Sequence, residues 1–227
     1  MESVLVNELQ QVINEKNITR LCHFTKSSKA LSILSSEDGI VAVDFLPKDI
    51  YDPNDTKRLD GRKSYINCSI QYPNYWYFRR VKDNDPLFKD WVILLIDTEV
   101  ILDNTTEFCC VNAAKGCGRY IKKGVEAFKE MFSNQIDGRR RNANMLSCCP
   151  TDDQAEVLVY RNISRKDIIG VVVKDEVQAH REKVKWNTLG QIPDIDIIIG
   201  PDLFSEECSK SIRRGETPKE YIYNGGE

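Results

Sequence analysis

Six consecutive apolar residues, Trp91-Val92-Ile93-Leu94-Leu95-Ile96, constrain the fold of this chain more than any other stretch. The run has no polar face and is too short for a helix that could stand alone. It therefore reads as a strand buried on both sides. Further strands are predicted over 19–25, 40–43, 65–70, 156–160, 168–173 and 195–199, and helices over 4–15, 27–34 and 112–135. Strands and helices mix without a regular βαβ rhythm, and no Gly-x-Gly-x-x-Gly follows a strand, which argues against a Rossmann nucleotide site. The expectation is one α+β domain over residues 1–227 with a central mixed or split sheet. Residues 47–64, with Pro53, Asn54 and Gly61, read as a long ordered loop or lid. Residues 209–227 read as a polar tail that ends loosely.

Hydrophobic residues make up 41% of the chain and charged residues 30%, the balance of a soluble globule with a full core. No apolar run is long enough to cross a membrane and no secretory signal is visible at the N-terminus, so a cytoplasmic protein without a membrane partner is expected. None of the eight cysteines forms a Cys-x-x-Cys knuckle, and Cys109-Cys110 and Cys148-Cys149 are adjacent pairs unsuited to zinc. They read as small buried hydrophobes, and no metal is expected. A cysteine nucleophile would need a histidine, and only His23 and His180 exist. The net charge of −3 hides a basic segment between Lys115 and Met145, with eight basic residues against three acidic ones. Such a segment suits a local anion track, or else a solvated helix face.

One strand carries an anomaly. Thr151-Asp152-Asp153 turns directly into Gln154-Ala155-Glu156-Val157-Leu158-Val159-Tyr160. On a period of two, Gln154, Glu156 and Leu158 share one face. Glutamate is depleted in strands and costly to bury, so a function should explain it.

The chain also carries a set of ordered motifs. These are Leu21-Cys22-His23-Phe24-Thr25, Arg58-Leu59-Asp60-Gly61, Tyr65-Ile66-Asn67-Cys68-Ser69-Ile70 with Pro73-Asn74-Tyr75, Asn112-Ala113-Ala114, and Gln154-x-Glu156. In this order, over residues 18–175, the chain resembles the DarT family, bacterial toxins that attach ADP-ribose to bases of single-stranded DNA. The resemblance implies the ADP-ribosyltransferase fold, with split mixed β-sheets around an NAD⁺ cleft and flanking helices. NAD⁺ would be the co-substrate and nicotinamide the leaving group.

By the same resemblance, Glu156 is the catalytic glutamate and Arg58 a second catalytic residue, which lies in the NAD⁺ site and helps accept the proton from the DNA base, with Arg62 and Lys57 as local alternatives. Arg58 is also the natural cation to keep Glu156 ionised. His23, Phe24 and Thr25 would hold the nucleotide, with Ser32 and Val41 as further pocket positions. Asn67 and Ser69 fall on a cleft-facing strand, and Tyr75 could stack on nicotinamide. For nucleic acid, Gln154 would orient a base edge and Arg139, Arg140 and Arg141 would meet phosphates. Tyr72 and Trp76 would stack on splayed bases. Pro73-Asn74-Tyr75 and Asn112-Ala113-Ala114 look more like the guanosine-modifying branch than the thymidine-modifying one. A macrodomain antitoxin is the implied partner. Two other readings stay open: a transferase acting on RNA or a terminal phosphate, and a catalytically idle nucleic-acid-binding module.

Overall fold

The structure, a computed structural model, describes residues 2–47, 58–85, 87–190 and 194–225. The N-terminal half runs α1 (Glu2–Lys16), β1 (Leu21–Lys26), α2 (Ser27–Ser35), β2 (Ile40–Val41), β3 (Tyr65–Ile70), α3 (Tyr75–Asn84), β4 (Trp91–Ile96) and β5 (Glu107–Cys109). The second half continues with β6 (Ile121–Lys123), α4 (Val125–Glu130), β7 (Gln135–Ile136), β8 (Arg139–Arg140) and β9 (Glu156–Tyr160). β10 (Asn162–Ile163), β11 (Ile168–Val173), α5 (Glu176–Thr188), β12 (Asp196–Ile199), α6 (Glu207–Arg214) and β13 (Tyr221–Ile222) complete the order.

Nine strands form one mixed sheet in the order β13-β12-β11-β4-β1-β3-β9-β5-β6. β11 and β12 are parallel, joined through α5, and the other neighbours are antiparallel. β4 is buried along its whole length, as the apolar run requires. Its alternate residues feed two cores, in line with the two-residue period of a strand. Val92, Leu94 and Ile96 pack in a core with residues of α1, α2, α4 and α5. Trp91, Ile93 and Leu95 pack in a second core with Phe78 of α3 and Cys208 and Ile212 of α6.

The expected split appears as a fork within this sheet. β1 pairs with β4 through all six of its residues, but with β3 only at Leu21–Ile70 and Cys22–Ser69. Beyond that point β3 pairs with β9 instead, from Tyr65 to Cys68. The two halves are thus continuous at one end and parted at the other.

Three expectations are corrected. Residues 112–135 are not one helix: Gly116, Gly118 and Gly124 all take positive φ, which breaks the segment into a short 3₁₀ turn, β6 and the single helix α4. Residues 136–153 read from their composition as a polar, basic loop, yet Gln135–Arg140 form a hairpin, β7–β8, whose Asp137-Gly138 turn has both residues at positive φ (49° and 78°). The tail is not loose over its described residues, 209–225. It holds most of α6 and the β13 strand, and Glu220 receives a two-pronged contact from Arg20 at 2.7 and 2.5 Å. Of the predicted 47–64 loop, residues 48–57, with Pro53, Asn54 and Lys57, lie outside the described residues.

Arg20 also donates to the Gln71 carbonyl and lies over the Tyr72 ring, so its charge is largely out of water. Breaking a pair of this kind strands the remaining charge. Glu220→Ala is therefore expected to lower unfolding free energy by about 2–4 kcal/mol, read from urea melts. A loss below about 0.5 kcal/mol would mean that the C-terminal segment is not held by this contact.

Candidate active site

Where the β1–β3 ladder ends, a side chain takes over. His23 Nδ1 lies 3.0 Å from the carbonyl oxygen of Asn67, bridging the two arms of the fork. A carbonyl can only accept, so Nδ1 carries the proton and a neutral ring leaves Nε2 as an acceptor. Burial lowers the His23 pKa, and the positive charges of Arg58 and Lys29 push the same way, against the Asn67 bond. The neutral ring is the form favoured at physiological pH.

Glu156 stands at the head of β9, only 7% exposed. Directly opposite residues of paired strands share a face, so the β9 pairings with β3 and β5 put Asn67 and Cys109 on the Glu156 side. Its Oε2 accepts from Asn67 Nδ2 at 2.8 Å and from the Ala113 amide at 3.3 Å, and its Oε1 accepts from Asn112 Nδ2 at 3.3 Å. All three donors are neutral. Burial raises the carboxyl pKa to about 7, and the charge of Asp60 adds to that rise. The Asn67 and Ala113 bonds and the charge of Arg58 oppose it.

Arg58 therefore plays a different part from the expected counter-ion. Its guanidinium forks onto Asp60, with Nε to Oδ1 and Nη2 to Oδ2 both at 3.1 Å, and donates to the carbonyls of Tyr65 and Arg62. Its effect on Glu156 is through space. Arg62 pairs with Glu107 at 2.8 Å. Asn67 Nδ2 also donates to Asp60 at 3.2 Å, while its buried Oδ1 has no hydrogen-bond partner among the described residues. Among those residues no group of three or more His, Cys, Asp and Glu side chains is placed to hold a metal. No helix among them is long and apolar enough to cross a membrane.

A family model described as "ssDNA thymidine ADP-ribosyltransferase, DarT" matches residues 22–204. The chain belongs to the DarT family. Among solved structures, DarT of Thermus sp. 2.9 in complex with NAD⁺ superposes with a TM-score of 0.58 at 12% identity, over 82% of this chain and 98% of that one. The same protein in complex with ADP-ribosylated ssDNA gives 0.56 at 11%, over 83% and 97%. DarTG of Thermosipho africanus in complex with ADP-ribose gives 0.53 at 17%, over 82% of this chain and 51% of that one. The chain thus spans about half the length of the Thermosipho protein. At these identities the likeness is one of fold. No curated protein matches the chain.

In this DarT-family chain the remaining site residues fall into three groups. His23, Arg58, Asn67 and Glu156 are brought together around the fork, with Thr25 buried further along β1. Ser69 and Phe24 are engaged in packing: the Ser69 hydroxyl accepts from the Asn74 amide at 3.0 Å, and the Phe24 ring packs 4.7 Å from that of Phe78. Ser32 is exposed on α2, Val41 pairs with Asn162, and Tyr75 opens α3 beside Trp76.

The nucleic-acid set is corrected at two positions. Tyr72 is buried under Arg20 and cannot stack on a base. The Arg141 guanidinium is engaged with the carbonyls of Leu146 and Cys149, both at 2.8 Å, and so braces the loop before β9. Arg139 pairs with Asp152 at 2.9 Å, while Arg140 and Trp76 are exposed and Gln154 sits at the mouth of β9. The sequence reading missed Asp60, Asn112, Asp152 and Asp153. Asp152 accepts from Arg139 and the Gln154 amide, and Asp153 from Trp76, Ser209 and Arg213, so the turn that delivers Glu156 is anchored from both sides. The signal for Asp60 was its spacing two residues after Arg58, where a turn lets the carboxylate fold back onto the guanidinium.

Glu156 also leaves a mark on stability. Its folded pKa of about 7 lies above an unfolded value of about 4.3, so its contribution is fully present below the unfolded value and is lost as pH rises through about 7. Glu156→Gln removes that loss. The variant is expected to gain about 2–3 kcal/mol on the wild type between about pH 5 and pH 8, measured by urea unfolding. A pH-independent difference between the two proteins would contradict the raised carboxyl pKa.

Proposed function

We propose that this chain moves ADP-ribose from NAD⁺ to a base of single-stranded DNA, with Glu156 as its catalytic carboxylate. The observation that carries the reading is a buried glutamate held by neutral donors at the head of a strand, beside the parting of the sheet. The residues at the fork fit the dinucleotide: the buried Asn67 Oδ1 lacks a donor among the described residues, and His23 Nε2 is left as an acceptor for a hydroxyl. NAD⁺ supplies a ribose whose bond to nicotinamide breaks with positive charge developing on the ribose carbon.

Ionised Glu156 stabilises that charge and accepts from a ribose hydroxyl, and its held geometry needs no reorganisation when the charge appears. Asn67, Asn112 and the Ala113 amide keep the carboxylate in place. Arg58, fixed by Asp60, lowers its pKa through space. Gln154, which can both donate and accept, suits a neutral base edge. Arg140 and Arg139 suit phosphates, and Trp76, 41% exposed, offers a ring for stacking.

The family description names thymidine, which supports thymine as the acceptor. The guanine expectation leaned on segments whose asparagines have other work here: Asn74 caps α3 by accepting from the Tyr77 amide, and Asn112 holds Glu156. The DarTG description of the Thermosipho protein supports an antitoxin partner of the implied kind. The cytoplasm, where NAD⁺ and single-stranded DNA meet, suits the reaction.

Incubation with NAD⁺ and separate pools of single-stranded DNA, duplex DNA and RNA, followed by nucleoside mass spectrometry, tests the reading. The expected product is ADP-ribosylated thymidine from the single-stranded pool, reduced on the order of 10³-fold in Glu156→Ala. Modification of RNA alone, or no nicotinamide release from any pool, would overturn it. The kcat/KM for NAD⁺ is expected to rise with pH and level off above about 7, since the ionised carboxylate is the working form.

The basic hairpin yields a separate expectation. Arg140→Ala should weaken single-stranded DNA binding and shallow its salt dependence by about one ion, while Arg141→Ala should instead lower the melting temperature. The reverse pattern would contradict the assignment of the two neighbours.

A further inference from the structure

Asp60 belongs to a turn in which Arg58 and Gly61 both take left-handed backbone, with φ of 38° and 70°. The residue is 5% exposed, yet its carboxylate receives four hydrogen bonds: two from Arg58, one from the Arg62 amide at 3.1 Å and one from Asn67 Nδ2 at 3.2 Å. A loop closes over the turn at Gly118, where a Cβ would overlap the Asp60 carbonyl oxygen. Asn67 Nδ2 has two hydrogens and faces two carboxylates, Asp60 and Glu156. A flipped amide would set Oδ1 against both anions, so Asp60 and Glu156 together fix which way the amide points. Its Oδ1 is then a buried acceptor with no partner among the described residues.

We propose that Asp60 is a positioning residue of this site: it locks Arg58 and orients the Asn67 amide, so that Asn67 Oδ1 offers a vacant acceptor beside Glu156 to a hydrogen-bond donor of NAD⁺. This rests on the NAD⁺-cleaving reading above and assigns a task within it. The groups around Glu156 are Arg58 and Asp60 from the turn, Cys68 of β3, Cys109 of β5, and the neutral Asn67, Asn112 and Ala113. Burial pushes both thiols up, Cys109 to about 12, and Arg58 and Asp60 form the ion pair among these groups. Asp60→Asn leaves the Arg58 charge uncompensated and removes the like charge from Glu156. Both changes favour ionised Glu156.

The test measures NAD⁺ binding by calorimetry and nicotinamide release on single-stranded DNA for wild type, Asp60→Asn, Asp60→Glu and Asn67→Ser. Asp60→Asn is expected to weaken NAD⁺ binding about tenfold and to move the midpoint of the kcat/KM pH profile down by about one unit. Asp60→Glu should restore part of the binding and the wild-type midpoint. Asn67→Ser should weaken binding to a similar degree, and it decides the matter should Asp60→Asn fail to fold. A folded Asp60→Asn with wild-type affinity and midpoint, or Asn67→Ser with wild-type affinity, overturns the proposal. A wild type that binds NAD⁺ without releasing nicotinamide defeats the functional reading, and the variants' affinities still decide the task of Asp60. A wild type that does not bind NAD⁺ defeats both.

Discussion

The end of one strand pairing shapes the whole candidate site. β1 keeps its pairing with β4 along its whole length but leaves β3 after Cys22, and β3 pairs with β9, on its other edge, from Tyr65 to Cys68. A sheet that parts in this way exposes backbone along the inner edges of both arms, and such groups must find partners. His23 meets one of them, the Asn67 carbonyl, with its ring. The same residue, Asn67, sends its side chain to Glu156 and Asp60. The parting of the sheet and the carboxylate cluster thus meet in one asparagine, the main chain serving the fork and the amide serving the two carboxylates.

The second dependency is electrostatic. A buried glutamate with a bidentate arginine would be firmly ionised and well satisfied, but its lone pairs would be occupied by that arginine. Here the guanidinium is taken by Asp60, and the donors to Glu156 among the described residues are all neutral. The result is a carboxyl whose pKa sits near 7 rather than deep in the acid range. It stays available to a hydroxyl and to a developing positive charge, at a cost in stability above neutral pH. On the proposed reaction, a site built for charge that appears only during turnover is poorly satisfied without it, and Asn67 Oδ1, without a partner among the described residues, belongs to the same pattern.

What the sequence made legible follows from how local each signal is. The β4 run announced its two-sided burial because alternation is a property of six adjacent residues. Glu156 stood out because a charged residue in an apolar strand is anomalous wherever the strand lies. The fork was not legible in the periodicity of any strand, since it depends on where one ladder stops and another begins; the mix of elements left the sheet mixed or split, and family resemblance implied the split. The C-terminal segment reads as polar, yet Glu220 is fixed by a partner two hundred positions earlier, Arg20. The helix predicted over 112–135 failed at three glycines whose positive φ outweighed an apolar stripe.

Arg139, Arg140 and Arg141 show the same limit most sharply, because composition makes them equivalent and the hairpin does not. Arg141 is turned inward, and its guanidinium replaces missing backbone donors for a loop, so moving it would unmake those bonds. Arg139 pairs with Asp152, and Arg140 is exposed. Other basic residues of the segment are likewise paired, Lys122 with Glu130 and Lys129 with Glu126. Those pairs are exposed, and exposed pairs are worth less than about 1 kcal/mol, so a phosphate can displace the carboxylate at little cost. A tally of charge along the sequence therefore misjudges the track in both directions: it counts Arg141, which is not free to move, and it treats paired surface lysines as though their partners held them. Burial, rather than sign, separates the cations that build the site from those that can meet a polyanion.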